Sequence, residues 1–419
     1  MTTHLSPVEP DFAKLLDHLA RQPALARRLG GDQEEWSVQE IGDGNVNLVF
    51  AVRGPAGAVC VKQAPPYVRA AGPSWPLTPR RVEFEHRALV EHRRHAAPYV
   101  PEPLHIDPTE HLLTVEYLEG HRVMRNGLTA GACYPHFAEH AARYLAHTLF
   151  FTSDLALPAG RKRELASLFE TNTAMCQIME DMVFTEIFLP HPRNRWTSPE
   201  LDGDVKDLQQ DIELKLAVSR LKLRYLSSRS ALLHGDLHTG SIMMNEPETA
   251  PSIAVIDQEF ACYGPMGFDL GTLLAHLLIA YFAAGAHGSD RSPQQSWLLS
   301  AVEQLWDDFR AHFTRLWHSH ADGDAYPLAL FPEAAAAAAL ETERQQYLDE
   351  LFTETLGYCG AEIIRRIVGF ARPADFTTIT DTTIRAEAER RALTLARSLV
   401  TAPTAHRAAT DLTAAARSV

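Results

Sequence analysis

The chain has 419 residues, of which 46% are hydrophobic and 22% are charged, proportions typical of a soluble globular protein. Its formal net charge of −14 argues against nucleic acid or an anionic membrane as the main partner, although a local basic pocket for phosphate is compatible with it. The five cysteines show no CxxC spacing, so a disulfide scaffold and a zinc site are both disfavoured and a reducing cytoplasm is favoured. The N-terminal residues show no signal-peptide pattern, and the length predicts two lobes or domains.

The N-terminal part of the chain predicts a helix followed by a small sheet. Apolar residues recur at helical spacing over residues 11–29, and strands are predicted over 35–41, Val46–Val52 and the segment AVCVKQ that carries Lys62. A turn of glycine, aspartate and asparagine (42–45) joins the first two strands. A glycine-containing hairpin followed by a strand lysine is typical of a nucleotide-binding lobe. An ordinary hairpin tip with a solvated lysine is the alternative.

A loop and a helix are predicted next. Residues 65–78 contain four prolines and predict a loop, and a helix follows over about residues 79–95. Within that helix, Glu83 and Glu85 are both available to pair with Lys62.

The segment HLLTVEYLEG (111–120) predicts a strand that runs into a connector, which places a boundary between two lobes near residue 116. The backbone of such a hinge can hydrogen-bond an adenine. The chain beyond it is predicted to be mainly helical, with helices over 134–151, 161–182 and 199–228. The apolar run that begins near Asp269 is too short for a membrane span and predicts a buried helix.

The stretch ALLHGDLHTGSIMMN (231–245) predicts a short buried strand, a loop that carries Asp236, and a second strand. Downstream, the strand in SIAVIDQEF delivers Asp257 and Glu259 at its end, one hairpin away from the loop. One carboxylate can then meet a substrate hydroxyl while another holds Mg²⁺. This is the layout of phosphoryl transfer.

Two alternatives to that interpretation exist. A buried aspartate that caps a turn is the commoner use of a residue such as Asp236. His234 and His238 are four residues apart and could form a metal pair on a helix, but Gly235 and Gly240 argue against a helix there.

The segment GYCGAEIIRRIVGF (357–370) predicts a helix whose aliphatic residues share one face and leave Arg365 and Arg366 off it. The two arginines could form a solvated face with a Glu362–Arg366 pair. They could instead recognise hydroxyl groups or phosphate.

Taken together, these motifs resemble the protein-kinase-like small-molecule kinases, also described as aminoglycoside-phosphotransferase-like. More narrowly, they resemble the family of S-methyl-5-thioribose kinases, and the resemblance covers nearly the whole chain. The segments that carry it are GDGNVNLVF, VKQAPPYVR with SWPLT, HTLFFTSDLAL, HGDLHTGSI, VIDQEFACYGPMGFDLG and GAEIIRRIVG.

The resemblance implies an α+β, two-lobed protein-kinase-like fold, with an antiparallel-sheet lobe over residues 1–116 and a larger, mainly helical lobe over 117–419. It implies ATP-dependent phosphorylation of S-methyl-5-thio-D-ribose to the 1-phosphate in methionine salvage. ATP and Mg²⁺ are the implied cofactors, and a cytoplasmic homodimer with no nucleic-acid or membrane partner is the implied state.

The resemblance also assigns residues to the nucleotide. Asn47 and Lys62 would contact the ATP phosphates, and Glu85 would be the helix carboxylate near Lys62. The adenine hinge would be Glu116, Tyr117 and Leu118. Asp257, Gln258 and Glu259 would form the segment at the nucleotide, with Asp257 and Glu259 as the Mg²⁺ ligands, and Trp75 would belong to a loop that closes near the nucleotide.

On the sugar side, Asp236 would be the catalytic residue that also touches the substrate, and Arg365 and Arg366 would bind the thioribose. Two positions differ from the residues that are usual in the family or in related kinases. The family usually has proline where this chain has Gln258, which restores a backbone N–H between the two carboxylates. Ser241 stands where many related kinases carry a metal-binding asparagine, so the second metal ligand would be Glu259.

Two rival functions follow from the same residues. The first is another small-molecule kinase of this fold that acts on an aminoglycoside, choline or homoserine; the first two of these would need acidic or aromatic groups for a cation. The second is a catalytically dead nucleotide-binding protein, which would be expected to lack Lys62, Asp236 or Asp257.

Overall fold

A computed structural model describes residues 11–41, 46–245, 252–287, 290–320 and 323–419. The chain divides into two compact units. The small unit comprises Met1–His121 and Ile256–Phe260, and the large unit comprises Arg122–Val255 and Ala261–Val419. The predicted glycine turn at 42–45 lies outside the described residues.

An antiparallel sheet forms the centre of the small unit. Its strands are β1 (Ser37–Glu40), β2 (Leu48–Gly54), β3 (Gly57–Gln63), β4 (Pro103–Asp107) and β5 (Leu112–Glu116). They lie in the order β1-β2-β3-β5-β4, and every neighbouring pair is antiparallel. This confirms the predicted antiparallel N-terminal sheet.

Two helices, α1 (Phe12–Ala20) and α2 (Pro23–Leu29), pack their leucines against buried side chains of β2 and β3. A single helix was the prediction for these residues. The helix divides because Pro23 has no amide hydrogen to continue α1, whereas its fixed φ suits the first position of α2.

Helix α3 (Arg81–Ala96) matches the predicted helix and begins with a fully buried arginine. Arg81 Nε donates to Asn47 Oδ1 at 2.8 Å, and the terminal nitrogens of Arg81 donate to the carbonyls of Thr78 and Pro65, each at 2.8 Å. One guanidinium therefore holds both ends of the 65–78 segment beside the start of β2.

The large unit is mainly helical, as predicted. Its helices are α4 (Met124–Thr129), α5 (Phe137–Phe151), α6 (Ala159–Phe169), α7 (Thr173–Phe184), α8 (Asp202–Gln210), α9 (Ile212–Ser227), α10 (Gly267–Ala286), α11 (Ser292–Ser319), α12 (Ala334–Val368), α13 (Ala374–Thr377), α14 (Thr382–Thr401) and α15 (Ala409–Ser418). The predicted helix over 161–182 is two helices, α6 and α7, interrupted at residues 170–172. The predicted helix over 199–228 is also two helices, because the Asp211 side chain caps α9 by accepting the N–H of Leu214 at 3.0 Å.

Short strands in the large unit frame the segment that carries Asp236. They are β6 (Arg122–Val123), β7 (Ala231–Leu233), β8 (Ile242–Asn245), β9 (Ser252–Val255) and β10 (Cys262–Gly264). Strands β8 and β9 pair as the predicted antiparallel hairpin, with Ile242 opposite Val255. Strand β6 pairs with the other side of β8, and β10 pairs with β7.

Helix α10 forms the core of the large unit and confirms the predicted buried helix. Among the described residues it is the one helix long and apolar enough to cross a membrane, and its apolar window is entirely buried within the protein. It packs closely on α12: a Cβ on Gly271 would lie 2.6 Å from the carbonyl oxygen of Thr355, so only glycine permits this approach. This packing fixes the last turns of α12, which carry Arg365 and Arg366.

Candidate active site

The loop between β7 and β8 holds Asp236 on a backbone fixed by another carboxylate. The amides of His234 and Gly235 donate to the two oxygens of Asp269, at 2.6 and 3.0 Å. Gly235 has a φ of +88°, a left-handed conformation that favours glycine. Because Asp269 lies in the first turn of the buried helix α10, the loop is anchored to the core of the unit.

The Asp236 carboxylate is bound by two guanidinium groups. Arg365 Nη1 and Arg366 Nη2 both donate to its Oδ1, at 3.1 and 2.9 Å, and His238 Nε2 lies 3.5 Å from its Oδ2. Burial alone would raise the pKa of Asp236, but Arg366 and Arg365, followed by His238, hold that pKa well below its usual range. Asp236 is therefore an ionised carboxylate, suited to orienting a hydroxyl group and weak as a base.

A second carboxylate, Glu362, holds the same two arginines from the side. Arg365 Nη1 donates to both oxygens of Glu362 at 3.1 and 3.0 Å, and Arg366 Nε donates to Oε1 at 2.5 Å. Burial opposes ionisation of Glu362, but Arg365, Arg366 and His276 lower its pKa to about 2. Two carboxylates and two guanidinium groups thus form a closed cluster with balanced charge.

The sequence predicted that one aliphatic face of this helix is buried, but in the structure the helix is buried on all sides. Every residue from Thr355 to Val368 is buried, so no face of the last turns of α12 meets solvent. Arg365 and Arg366 are 3% and 4% exposed, which makes the solvated-face alternative wrong. The Glu362–Arg366 pair exists, but as a buried contact. The assignment of the arginines to the thioribose stays a prediction.

Two neutral histidines lie against this cluster. Burial, followed by the charge of Arg125, holds the pKa of His238 well below its usual value, and burial followed by Arg366 lowers the pKa of His276 to about 3. His238 Nδ1 accepts the Gly240 N–H at 2.9 Å, so its proton is on Nε2, towards Asp236. The metal-pair alternative finds no support, since His234 Nδ1 accepts the N–H of Asp236.

In the small unit, Lys62 is 5% exposed, which makes the solvated-lysine alternative wrong. It donates to Glu85 on α3 and to Asp257, which follows β9 in the chain. Of the two candidate helix carboxylates, Glu85 is the partner, whereas Glu83 pairs with Arg80, just before the helix, and with Arg87. Asp257 has a φ of +68°, an uncommon conformation for a non-glycine residue that typically marks a functional position.

Glu259 completes this second cluster. Asn47 Nδ2 donates to Glu259 Oε2, and the Asn47 carbonyl accepts from the buried Arg81. Burial, followed by the neighbouring carboxylate of Glu85, raises the pKa of Glu259 to about 8, although Lys62 opposes this. Burial also opposes the charge of Lys62, but Asp257, Glu85 and Glu259 raise its pKa well above the usual value.

The donors of this cluster fit a divalent cation. Asp257 and Glu259 supply the carboxylate oxygens that Mg²⁺ prefers. Burial, followed by the carboxylate of Glu85, raises the pKa of Glu259, and a bound cation would favour its ionised form. The side chain of Asp257 is 41% exposed, so a cation with its own water ligands can reach it. Within the described ranges, no group of three or more histidine, cysteine or acidic side chains forms a metal site by itself. The remaining ligands of a cation would therefore come from water and substrate.

The predicted hinge residues begin with Glu116, the last residue of β5, and the side chains of Glu116 and Tyr117 are engaged by the small unit itself. The Glu116 carboxylate accepts the N–H of Glu102 at 3.1 Å. Arg53 stacks 4.4 Å from the ring centre of Tyr117 and donates to its hydroxyl at 2.7 Å. If Glu116, Tyr117 and Leu118 bind adenine, they do so through the backbone, as the sequence suggests.

Gln258 and Trp75, both predicted to lie near the nucleotide, have different surroundings in the structure. Gln258 is fully buried within a 3₁₀ turn, Gln258–Phe260, that packs against α3, so its side chain contributes to the packing of the carboxylate segment. Trp75 is half-buried at the end of a 3₁₀ segment, Arg69–Ser74, where its carbonyl accepts the N–H of Val68 at 2.9 Å. Its predicted place near the nucleotide stays a prediction.

Several site residues escaped sequence reasoning. Arg81, Arg125, Asp269, His276 and Asp375 are polar groups within mainly apolar or loop segments, and only packing shows their partners. Asp269 offered a signal, since an aspartate at the start of a strongly apolar helix is suited to accept backbone N–H groups. The others offered none.

The fold and these residues define a phosphotransferase: residues 37–297 match a family model described as "Phosphotransferase enzyme family". "Methylthioribose kinase 1" from Oryza sativa subsp. japonica is 42% identical over 93% of this chain and 90% of its own length. "Methylthioribose kinase" from Escherichia coli O45:K1 (strain S88 / ExPEC) is 41% identical over 88% of each chain. The chain belongs to the methylthioribose kinase family.

A solved structure, a choline kinase from Cryptosporidium parvum Iowa II, matches with a TM-score of 0.49 and 10% sequence identity. The match covers 93% of this chain and 95% of the choline kinase chain. A likeness at this level says nothing about substrate.

Proposed function

We propose that the protein transfers the γ-phosphoryl group of ATP to the anomeric hydroxyl of S-methyl-5-thio-D-ribose and forms the 1-phosphate in methionine salvage. The observation that carries the proposal is the buried Asp236 carboxylate held by Arg365 and Arg366 in a chain that is 42% identical to a methylthioribose kinase. Family membership supports the substrate, and the geometry supports the chemistry.

The charges around Asp236 support a neutral substrate. Asp236 and Glu362 are balanced by Arg365 and Arg366, and the neighbouring histidines are neutral because burial lowers their pKa values. An aminoglycoside or a choline would bring a cation, which needs an excess of acidic groups or an aromatic cage. This cluster has neither, so a sugar without charge fits it better.

In the proposed reaction, Asp236 orients the anomeric hydroxyl and finally accepts its proton. That hydroxyl is more acidic than a simple alcohol, so a carboxylate with a lowered pKa suffices, and alignment contributes more than base strength. Arg365 and Arg366 keep the carboxylate in one orientation and offer donors to the sugar hydroxyls.

We assign nucleotide binding to the N-terminal lobe (1–116) together with the small-unit residues beyond it (117–121 and 256–260), and catalysis with sugar binding to the remainder of 117–419. Lys62 and Asn47 bind the ATP phosphates, with Glu85 holding Lys62 in place. Asp257 and Glu259 hold Mg²⁺, which when bound neutralises charge on the transferring phosphoryl group. Gln258 belongs to the same segment, and Glu116, Tyr117 and Leu118 bind adenine. A cytoplasmic homodimer is part of the proposal.

The test is an assay of ADP release with S-methyl-5-thioribose, ribose, choline, homoserine and an aminoglycoside as acceptors. We expect turnover with S-methyl-5-thioribose at a kcat/KM well above that of the other compounds. Phosphorus NMR should then show the new phosphate coupled to the anomeric proton. Faster turnover of choline, homoserine or the aminoglycoside would refute the proposed substrate, and ATP binding without turnover of any acceptor would support a catalytically dead nucleotide-binding protein.

A further inference from the structure

A third arginine of the large unit lies beside the Asp236 loop with its donors largely uncommitted. Arg125 is the second residue of α4, and its backbone N–H donates to the carbonyl of Thr239 in that loop at 3.0 Å. Its Nε lies 3.7 Å from Asp375 Oδ2, and in the described part of the chain neither atom has a hydrogen-bond partner. The pair is therefore a loose contact between two opposite charges.

The guanidinium of Arg125 lies directly on the loop. A Cβ on Gly240 would come within 3.0 Å of Arg125 Cζ and 2.8 Å of the His238 ring, so a side chain at this glycine would displace one of them. Arg125 Nη2 lies 3.4 Å from His276 Nδ1. Its other terminal nitrogen, Nη1, forms no hydrogen bond with the described residues, and the Arg125 side chain as a whole keeps 16% exposure.

The side-chain contacts of Arg125 are longer than those of the neighbouring Arg365 and Arg366. Arg365 and Arg366 each donate to both Asp236 and Glu362 at distances of 2.5–3.1 Å, so the protein holds both guanidinium groups firmly in place. The protein contacts of the Arg125 side chain are at 3.4 and 3.7 Å. Since polar groups within a protein normally have partners, a guanidinium held this loosely is suited to a ligand with hydroxyl oxygens.

Building on the proposed function, we propose that Arg125 is a specificity-determining residue that donates from Nη1 to a secondary hydroxyl of the neutral sugar. Asp375 is 2% exposed and does not reach the sugar; it is a positioning residue that balances the charge of Arg125 and limits its orientation. The loose 3.7 Å separation lets the guanidinium move towards the hydroxyl without losing its counter-charge. The same donor has nothing to offer an ammonium group.

The experiment compares S-methyl-5-thioribose with its 2-deoxy and 3-deoxy analogues. For the wild type, kcat/KM should fall at least roughly tenfold for one of the two analogues, because a charged donor would lose its acceptor. Arg125→Gln should lose about the same factor on the parent sugar and should no longer distinguish that sugar from the sensitive analogue. The KM for ATP should be unchanged. Arg122→Gln, an exposed arginine three positions earlier, is the matched control and should behave as the wild type.

Asp375→Asn separates positioning from simple structural support. It should weaken discrimination at the same hydroxyl and raise the sugar KM more than it lowers kcat, whereas Asp375→Glu should restore part of the discrimination. Equal losses on all three sugars, with discrimination kept, would assign Arg125 and Asp375 to structure alone and overturn the inference. Wild-type enzyme that treats both analogues as it treats the parent sugar would overturn it too, whether or not the variants fold.

The results that would overturn the proposed substrate differ from those that would overturn the role of Arg125. A wild type that ignores S-methyl-5-thioribose but phosphorylates another neutral sugar overturns the proposed substrate. The same comparison, run with the deoxy forms of that sugar, then decides the role of Arg125. A wild type that phosphorylates only a cationic acceptor overturns both proposals.

Discussion

Two buried glutamates, one in each unit, show opposite electrostatics. Glu362 of the large unit is surrounded by Arg365 and Arg366, and despite its burial its pKa falls to about 2. Glu259 of the small unit is also buried, and burial, followed by the carboxylate of Glu85, raises its pKa to about 8 although Lys62 opposes this. Burial acts to raise the pKa of both glutamates, so it is the two arginines beside Glu362 that reverse the direction there.

The two clusters differ in the balance of their charged groups. In the large unit, carboxylates and guanidinium groups balance, so the cluster is complete within the protein and is built to hold Asp236 still. In the small unit, carboxylates are in excess, and a cation would complete the cluster. We therefore expect variants of the first cluster to damage orientation and stability, and variants of the second to damage metal-dependent nucleotide binding.

The largest effect should come from Asp236→Asn. Because asparagine cannot accept the proton and loses the ion pairs with the arginines, kcat should fall roughly a hundred- to ten-thousandfold. ATP affinity, measured by isothermal titration, should be nearly unchanged. Asp207→Asn, an exposed aspartate of α8, is the control. Parallel loss of ATP affinity and activity would place Asp236 at the metal instead.

Glu362→Gln should destabilise the protein by about 3–5 kcal/mol at pH 7, because it leaves the buried arginines short of a counter-charge. The pKa of Glu362 is lowered on folding, so its contribution is present above the unfolded value and is lost as pH falls towards about 2. Chemical denaturation at a series of pH values should therefore show the gap between wild type and variant closing in acid. A gap that is constant from pH 7 to pH 2.5 would contradict the assigned pairing.

Asp257→Ala should remove Mg²⁺-dependent nucleotide binding. Disturbing a group that merely supports a metal ligand costs about 10–100-fold in affinity, so loss of a ligand should cost at least about a hundredfold. Glu259→Ala should be milder, and Glu34→Ala, at an exposed position of the same unit, should have no effect. Titration of ATP with and without Mg²⁺ measures the difference. Undiminished activity of both site variants at millimolar Mg²⁺ would rule out this metal site.

Arg365→Ala and Arg366→Ala should each raise the sugar KM at least about tenfold while the ATP KM changes little. Each charged hydrogen bond lost costs about 1.5–3 kcal/mol, and a factor of ten requires about 1.4 kcal/mol. Arg220→Ala on the exposed face of α9 is the control for steady-state kinetics. An unchanged sugar KM in both variants would restrict the arginines to holding Asp236.

Much of the fold could be predicted because its signals are local. Strand alternation around Lys62, the hairpin that follows the Asp236 loop and the apolar run of α10 all depend on neighbouring residues, and each is present. Two of the errors fall where a single side chain ends or begins a helix: Pro23 between α1 and α2, and Asp211 at the start of α9.

By itself, the sequence determined which side chains were available for chemistry: Lys62, Asp236, Asp257, Glu259 and the Arg365–Arg366 pair. It could do so because short motifs place these residues near the ends of strands, in a glycine-containing loop or, for the two arginines, in the last turns of a helix. Their surroundings were decided by tertiary structure. Helical periodicity could not show that the last turns of α12 are buried on every side, since α10 and other elements distant in sequence cover them. Burial removes water from these charges, and neighbours brought by the fold then set their pKa values, their partners and their roles.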